Sequence, residues 1–248
     1  MIYDYLQRGV LAGVVAGLAY GLYMATVGNP LSEYVHDAGH DHGHGDHGHA
    51  HEHAGHAVSE TTTALVSVGS GALWAIFLGG IFALALYFLE PTLPGPDGGK
   101  SYVLAGAGFL SVSAVPWLVL PPAAPGAEQL YSIDARLGIY VGLVALGIVV
   151  SAAAIVAYKR TAPRHPALGL IAGAVPVATV VVVVPLVTPT VVSHPDLSSD
   201  LVTSYQALAA LSQAAIWALL AGTFNWLQRR ASPGVSAGNS QESLTASL

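Results

Sequence analysis

Residues 36–56 read HDAGHDHGHGDHGHAHEHAGH and carry nine of the chain's eleven histidines: His36, His40, His42, His44, His47, His49, His51, His53 and His56. Between them stand Asp37, Asp41, Asp46 and Glu52, with glycine and alanine filling most other positions. Neutral imidazole ligates zinc, copper, nickel and their divalent neighbours, cobalt among them. Carboxylates placed between the rings offset the ion's charge and accept ring N–H bonds. The tract holds far more ligands than one coordination sphere takes, which points to a loose ligand for several ions rather than one rigid cage. Imidazole ligates only when neutral, so capture weakens below about pH 6.5. The competing reading is a solvated low-complexity linker that binds metal incidentally. The chain has no cysteine, so thiolate sites and disulfides are both excluded and any metal must sit on imidazole, carboxylate or carbonyl oxygen.

The elements flanking this tract read as membrane spans. Of 248 residues, 53% are hydrophobic and 9% charged, against about 25% charged in a soluble domain; mean hydropathy is +0.59. A membrane helix needs about 20 mainly apolar residues. Six segments qualify: 9–27, 65–89, 102–120, 137–158, 167–187 and 203–227. The expected fold is therefore all-α, a six-helix transmembrane bundle over residues 1–230. A long histidine-rich first extracellular loop spans 30–64, and a disordered polar tail covers 231–248. The apolar run after Met1 exceeds a signal-peptide core and no A-x-A-like site follows, so it reads as a retained first span.

Charge orients the bundle. The basic residues are Arg8, Lys100, Arg136, Lys159, Arg160, Arg164, Arg229 and Arg230. Six spans with the N-terminus inside put all but Arg136 on the cytoplasmic side, as the positive-inside rule requires. The outer face then carries Glu33, Glu60, Glu128, Asp134, Asp196 and Asp200 besides the acids of the tract. Such a surface either steers cations or is merely solvated. Net charge is −6 and no basic cluster is interleaved with aromatics, which excludes nucleic-acid binding.

Inside the spans, Gly9, Gly13, Gly17 and Gly21 form a stripe at helical spacing, and Gly138 with Gly142 and Gly169 with Gly173 repeat the pattern. Small residues let helices approach closely in lipid, so these are read as packing positions. Polar groups at membrane depth are costly and mark candidate path residues. Gln206 and Gln213, seven apart, lie on one face of the last span; Glu90 ends the second, and Asn29 precedes Pro30 at the end of the first. Pro116 and Pro176 interrupt the third and fifth spans; each leaves a backbone carbonyl without its usual donor, free to ligate a cation where it lines a cavity. No span contains histidine. Gly95–Ser101 misses the phosphate-loop pattern because position 94 is Pro94, and no nucleotide-binding domain surrounds it. Neither ATP hydrolysis nor other enzyme activity is expected.

The segment KSYVLAGAGFLSVSAVPWLVLPPAAPG, residues 100–126, resembles the signature of the CbtA family of predicted cobalt transporter subunits. FLEP at 88–91 and RGVLAGVVAGL at 8–18 are similar to it as well. The resemblance covers most of the chain and rests chiefly on Pro116, Trp117, Pro121 and Pro122. It implies uptake of Co²⁺, or of Ni²⁺ or Zn²⁺, across the cytoplasmic membrane without a prosthetic group. It also implies supply of cobalt for cobalamin synthesis and a small single-span partner, CbtB, bearing a histidine motif. A homo-oligomer is a further expectation. The alternative is a membrane-anchored metal buffer or sensor serving another transporter.

The orientation is testable because the chain lacks cysteine. Gly45→Cys and Ser198→Cys should react with an impermeant thiol reagent in intact cells, and Ala162→Cys should react only after lysis. External labelling at 162 would overturn the topology.

Overall fold

The computed structural model describes residues 1–41, 60–189 and 191–231. The histidine tract from His42 to His56, with Asp46 and Glu52, and the expected tail beyond 231 lie outside the described residues.

The chain opens with helix α1 (Ile2–Tyr23), which passes through a π-turn at Met24–Gly28 directly into α2 (Asn29–Asp41). Asn29–Pro30 therefore does not end the first helix, contrary to the expectation from its proline. Pro30 has no N–H, and in a regular helix its ring would strike the carbonyl four residues back. The wider π-turn relieves this: the Asn29 N–H reaches Met24 O, five residues back, and the Thr26 hydroxyl donates to Leu22 O at 2.8 Å.

Helix α3 (Glu60–Leu89) returns antiparallel to α1, and the glycine stripe sets their separation. A Cβ at Gly17 would lie 2.7 Å from the Cα of Ala72, and one at Gly21 2.7 Å from the Cα of Val68. At Gly9 it would run into Ala83 and the Gly79 carbonyl, and at Gly13 into the Ala75 carbonyl. The two backbones touch along four turns.

A third helical stretch covers 97–117 as α4 (Asp97–Phe109), a second π-turn (Leu110–Ala114) and α5 (Val115–Trp117). It begins before and stops short of the expected 102–120. Pro116 accounts for the π-turn. The Val115 N–H reaches back to Leu110 O, and Val112 O, four residues before Pro116, accepts from the Tyr140 hydroxyl at 3.2 Å.

Helix α6 (Ile133–Thr161) supplies that tyrosine and runs antiparallel to 97–117, with Ser151 Oγ 3.2 Å from Ser111 Oγ. Helix α7 (Pro166–Val187) turns back along α6, and α8 (Ser199–Ala231) closes the bundle against α1 and α4. Two short strands, β1 (Glu128–Gln129) and β2 (Val192–Ser193), pair antiparallel and tie together the connections at one end. His194 Nε2 accepts the Ala124 N–H there at 3.2 Å.

Among the described residues, five helices are long and apolar enough to cross a membrane: those over Ile2–Ala38, Val68–Leu89, Ile133–Thr161, Pro166–Val187 and Ser199–Ala231. The stretch 97–117 is not among these five. Lys100 and several glycines and serines lower its hydropathy.

The four later glycines divide. Gly169 packs on Ala162, and Gly173 lies near Ala154 and Tyr158 where α7 meets α6. Nothing stands within 4 Å of a Cβ at Gly138 or Gly142, so these two are not packing positions within the described chain; that side of α6 is turned away from its neighbours. Gly13→Leu should accordingly cost about 2–3 kcal/mol by overpacking. Gly138→Leu should stay within about 0.5 kcal/mol of the parent. Thermal unfolding in detergent reads both, and equal losses would refute the assignment.

Candidate functional site

A cleft of about 210 Å³ opens at the end of the bundle where the two π-turns lie. One wall is the α1–α2 junction: Tyr20, Tyr23, Met24, Gly28 and Ser32. The opposite wall is α8, with Tyr205, Ser212 and Gln213. Trp117 and Pro122 form the third side. Tyr20 stacks on Tyr23 with ring centroids 6.3 Å apart, and Trp117 is steadied by an edge contact to Phe109 at 6.2 Å. The cleft combines a polarizable thioether, three phenols, two hydroxyls and an amide, all able to present oxygen or sulfur to a cation shedding part of its hydration shell.

The sequence-derived path residues separate on this geometry. Trp117 and Gln213 share the cleft, and Pro116 is fully buried behind it. Asn29 sits half-buried beside Gly28 on the same wall. Gln206 is half-buried but does not line the cleft, because Tyr205 takes that place. Pro176 lies on α7, which packs chiefly on α6, and does not line the cleft. Glu90 is at the far end of the bundle, accepting a hydrogen bond from the Tyr5 hydroxyl and lying 3.9 Å from Lys100 Nζ. The tyrosines and Met24 were not singled out by sequence reasoning. One signal was available: Tyr205 and Ser212 are seven apart, as Gln206 and Gln213 are.

Of the metal ligands proposed from the sequence, His36 and Asp37 are exposed on α2, above the cleft wall. The backbones of His40 and Asp41 complete that helix. Among the described residues no three His, Asp or Glu side chains gather to hold a metal ion.

A second cavity, an apolar groove of about 570 Å³, lies between α3, α4 and α6. Ser111 and Ser151 lie within it, and Lys159, whose ammonium donates to Thr92 O at 2.9 Å, stands at its edge.

The family model described as "Probable cobalt transporter subunit (CbtA)" matches residues 2–229. The chain belongs to the CbtA family. Cobalt transport is thereby its functional class, and the word subunit implies further components. No curated protein and no solved structure matches the chain. Within the CbtA sequence, the proline–tryptophan–proline motif forms the third side of the cleft through Trp117 and Pro122, while Pro121 faces a neighbouring surface pocket. Gln213→Leu, which removes an amide acceptor from the cleft, should lower maximal Co²⁺ uptake severalfold while leaving the unfolding temperature near that of the parent. Full uptake by this variant would remove Gln213 from the path.

Proposed function

We propose that this CbtA protein admits Co²⁺ across the cytoplasmic membrane through a six-crossing bundle with both termini inside, and that the histidine tract captures the ion on the outer side. The observation that carries the reading is the unbroken helical course from α1 through the π-turn into α2. The same element forms a wall of the cleft and presents His36 and Asp37, the first members of the tract. Ligands for capture and an entrance able to receive the ion are thus joined through the backbone.

The antiparallel course of 97–117 against α6 and α8 supports a sixth crossing despite its lower hydropathy. Gly98 meets Asn225 and Gly108 meets Trp217 along α8, while Ser111 meets Ser151 on α6. This brings Lys100, Lys159, Arg160, Arg164, Arg229 and Arg230 to one end, in accord with the positive-inside rule. No ATP is required. A divalent cation entering down about 100 mV gains about 4.6 kcal/mol, twice the value per unit charge, or a concentration ratio on the order of 10³. A small single-span partner fits the description as a subunit.

A collector raises local ion concentration, whereas a path residue sets the barrier. Radiocobalt uptake into vesicles holding the chain, alone and with a candidate partner, distinguishes them. Replacing all nine tract histidines by serine should raise the Co²⁺ concentration giving half-maximal uptake about tenfold and leave maximal flux nearly intact. Abolished flux at every concentration would place the tract in the path itself. No uptake under either condition would favour a membrane-anchored buffer or sensor.

A further inference from the structure

At the end opposite the cleft, α1, α3, α4 and α8 meet in one polar layer inside an apolar core. Tyr5 on α1 packs edge-on against Tyr87 and at 5.8 Å from Phe224, and its hydroxyl donates to Glu90. The other Glu90 oxygen faces Lys100 Nζ at 3.9 Å, and both side chains are largely covered, at 23% and 19% exposure. Next to Lys100, Ser101 is 1% exposed; next to Phe224, Asn225 is 6% exposed. Ser101 Oγ and Asn225 Oδ1 are buried oxygens with no hydrogen-bond partner. The Asn225 oxygen points at the first turn of α4, 3.1 Å from where a Cβ on Gly98 would stand, with Arg229 Nη2 at 2.9 Å from the same point. Gly98 lies one helical turn before Ser101.

Two unpartnered oxygens in one layer each cost about 1–3 kcal/mol unless something satisfies them. Both are acceptors at the end of the bundle that also holds the Glu90–Lys100 pair. We propose that this layer is an inner station for a divalent cation, with Glu90, Ser101 and Asn225 supplying oxygen ligands and the Lys100 ammonium holding the ion's place between passages. The proposal rests on the transport reading above and gives it an exit. One carboxylate and two neutral oxygens form a weak site, as release to the cytoplasm requires; Co²⁺ accepts such ligands although nitrogen donors bind it more strongly. The arriving ion takes over the Glu90 oxygen that Lys100 faces. Lys100 lies near the start of α4, within reach of cytoplasmic water once displaced. Tyr5 keeps the carboxylate oriented throughout by holding its other oxygen.

The test uses the full chain in nanodiscs with the nine tract histidines changed to serine, so that only interior sites report. Millimolar Co²⁺ should raise its unfolding temperature, whereas Mg²⁺, which sheds water reluctantly, should raise it less. Ser101→Ala and Asn225→Leu should each weaken the Co²⁺ dependence about tenfold, and Lys100→Gln should strengthen it severalfold. Ser101→Ala serves as its own folding control: losing an unsatisfied hydroxyl should stabilise the metal-free chain. The site is refuted if Co²⁺ stabilises the Ser101→Ala and Asn225→Leu chains as much as the parent, or does not stabilise the parent at all. Radiocobalt uptake in the same nine-serine background separates the two readings. Uptake that persists unchanged in Ser101→Ala and Asn225→Leu overturns the inner station and leaves transport standing.

Discussion

Direct backbone contact between α1 and α3 is the constraint on which the rest of the bundle depends. In lipid, two apolar helices gain nothing by hiding from water, so close contact and polar links must hold them. Gly9, Gly13, Gly17 and Gly21 provide that contact over the length of α1. The pair then offers α8 a surface on which Ile216, Leu220 and Phe224 bury fully, and α4 packs on α8 through Gly98 and Gly108. Both polar layers follow from this arrangement. The cleft lies between the α1–α2 junction and α8, and the second polar layer lies at the opposite end, where α1, α3, α4 and α8 meet.

The sequence made the apolar helices legible because length and hydropathy act locally: any stretch of about 20 apolar residues has few alternatives in lipid. Breaks were less legible. Pro30 and Pro116 carry the same local signal, a missing donor and a bulky ring. That signal does not say whether the helix stops, as was expected after Asn29, or widens into a π-turn and continues. The answer depends on neighbours such as Tyr140, which serves the Val112 carbonyl from 28 residues away. The glycines make the same point. Gly13 and Gly138 look alike in sequence, yet one faces α3 and the other faces nothing within the described chain.

Candidate site residues were legible in proportion to how costly they are at membrane depth. Gln213 and Glu90 stand out in apolar runs, and each lies in one of the two polar layers. Tyr20, Tyr23 and Tyr205 do not stand out, since tyrosine near a span end is ordinary at a lipid interface. Ser101 is invisible for another reason. A serine beside a lysine at a helix start reads as solvated, whereas tertiary packing leaves it 1% exposed.

The π-turns have a mechanical consequence. A π-turn is a helix carrying one residue more than its regular hydrogen bonding needs, and that surplus can pass along the helix by exchanging one acceptor for the next. Met24–Gly28 places such a surplus in one wall of the cleft, and Leu110–Ala114 places another just before Trp117, which lines a second. Below them α1 is locked to α3 by glycine. Above them lie α2, with the first tract residues, and α5, with Trp117. Any such shift would alter the setting of Met24 and Trp117 at the cleft without disturbing the contact between α1 and α3.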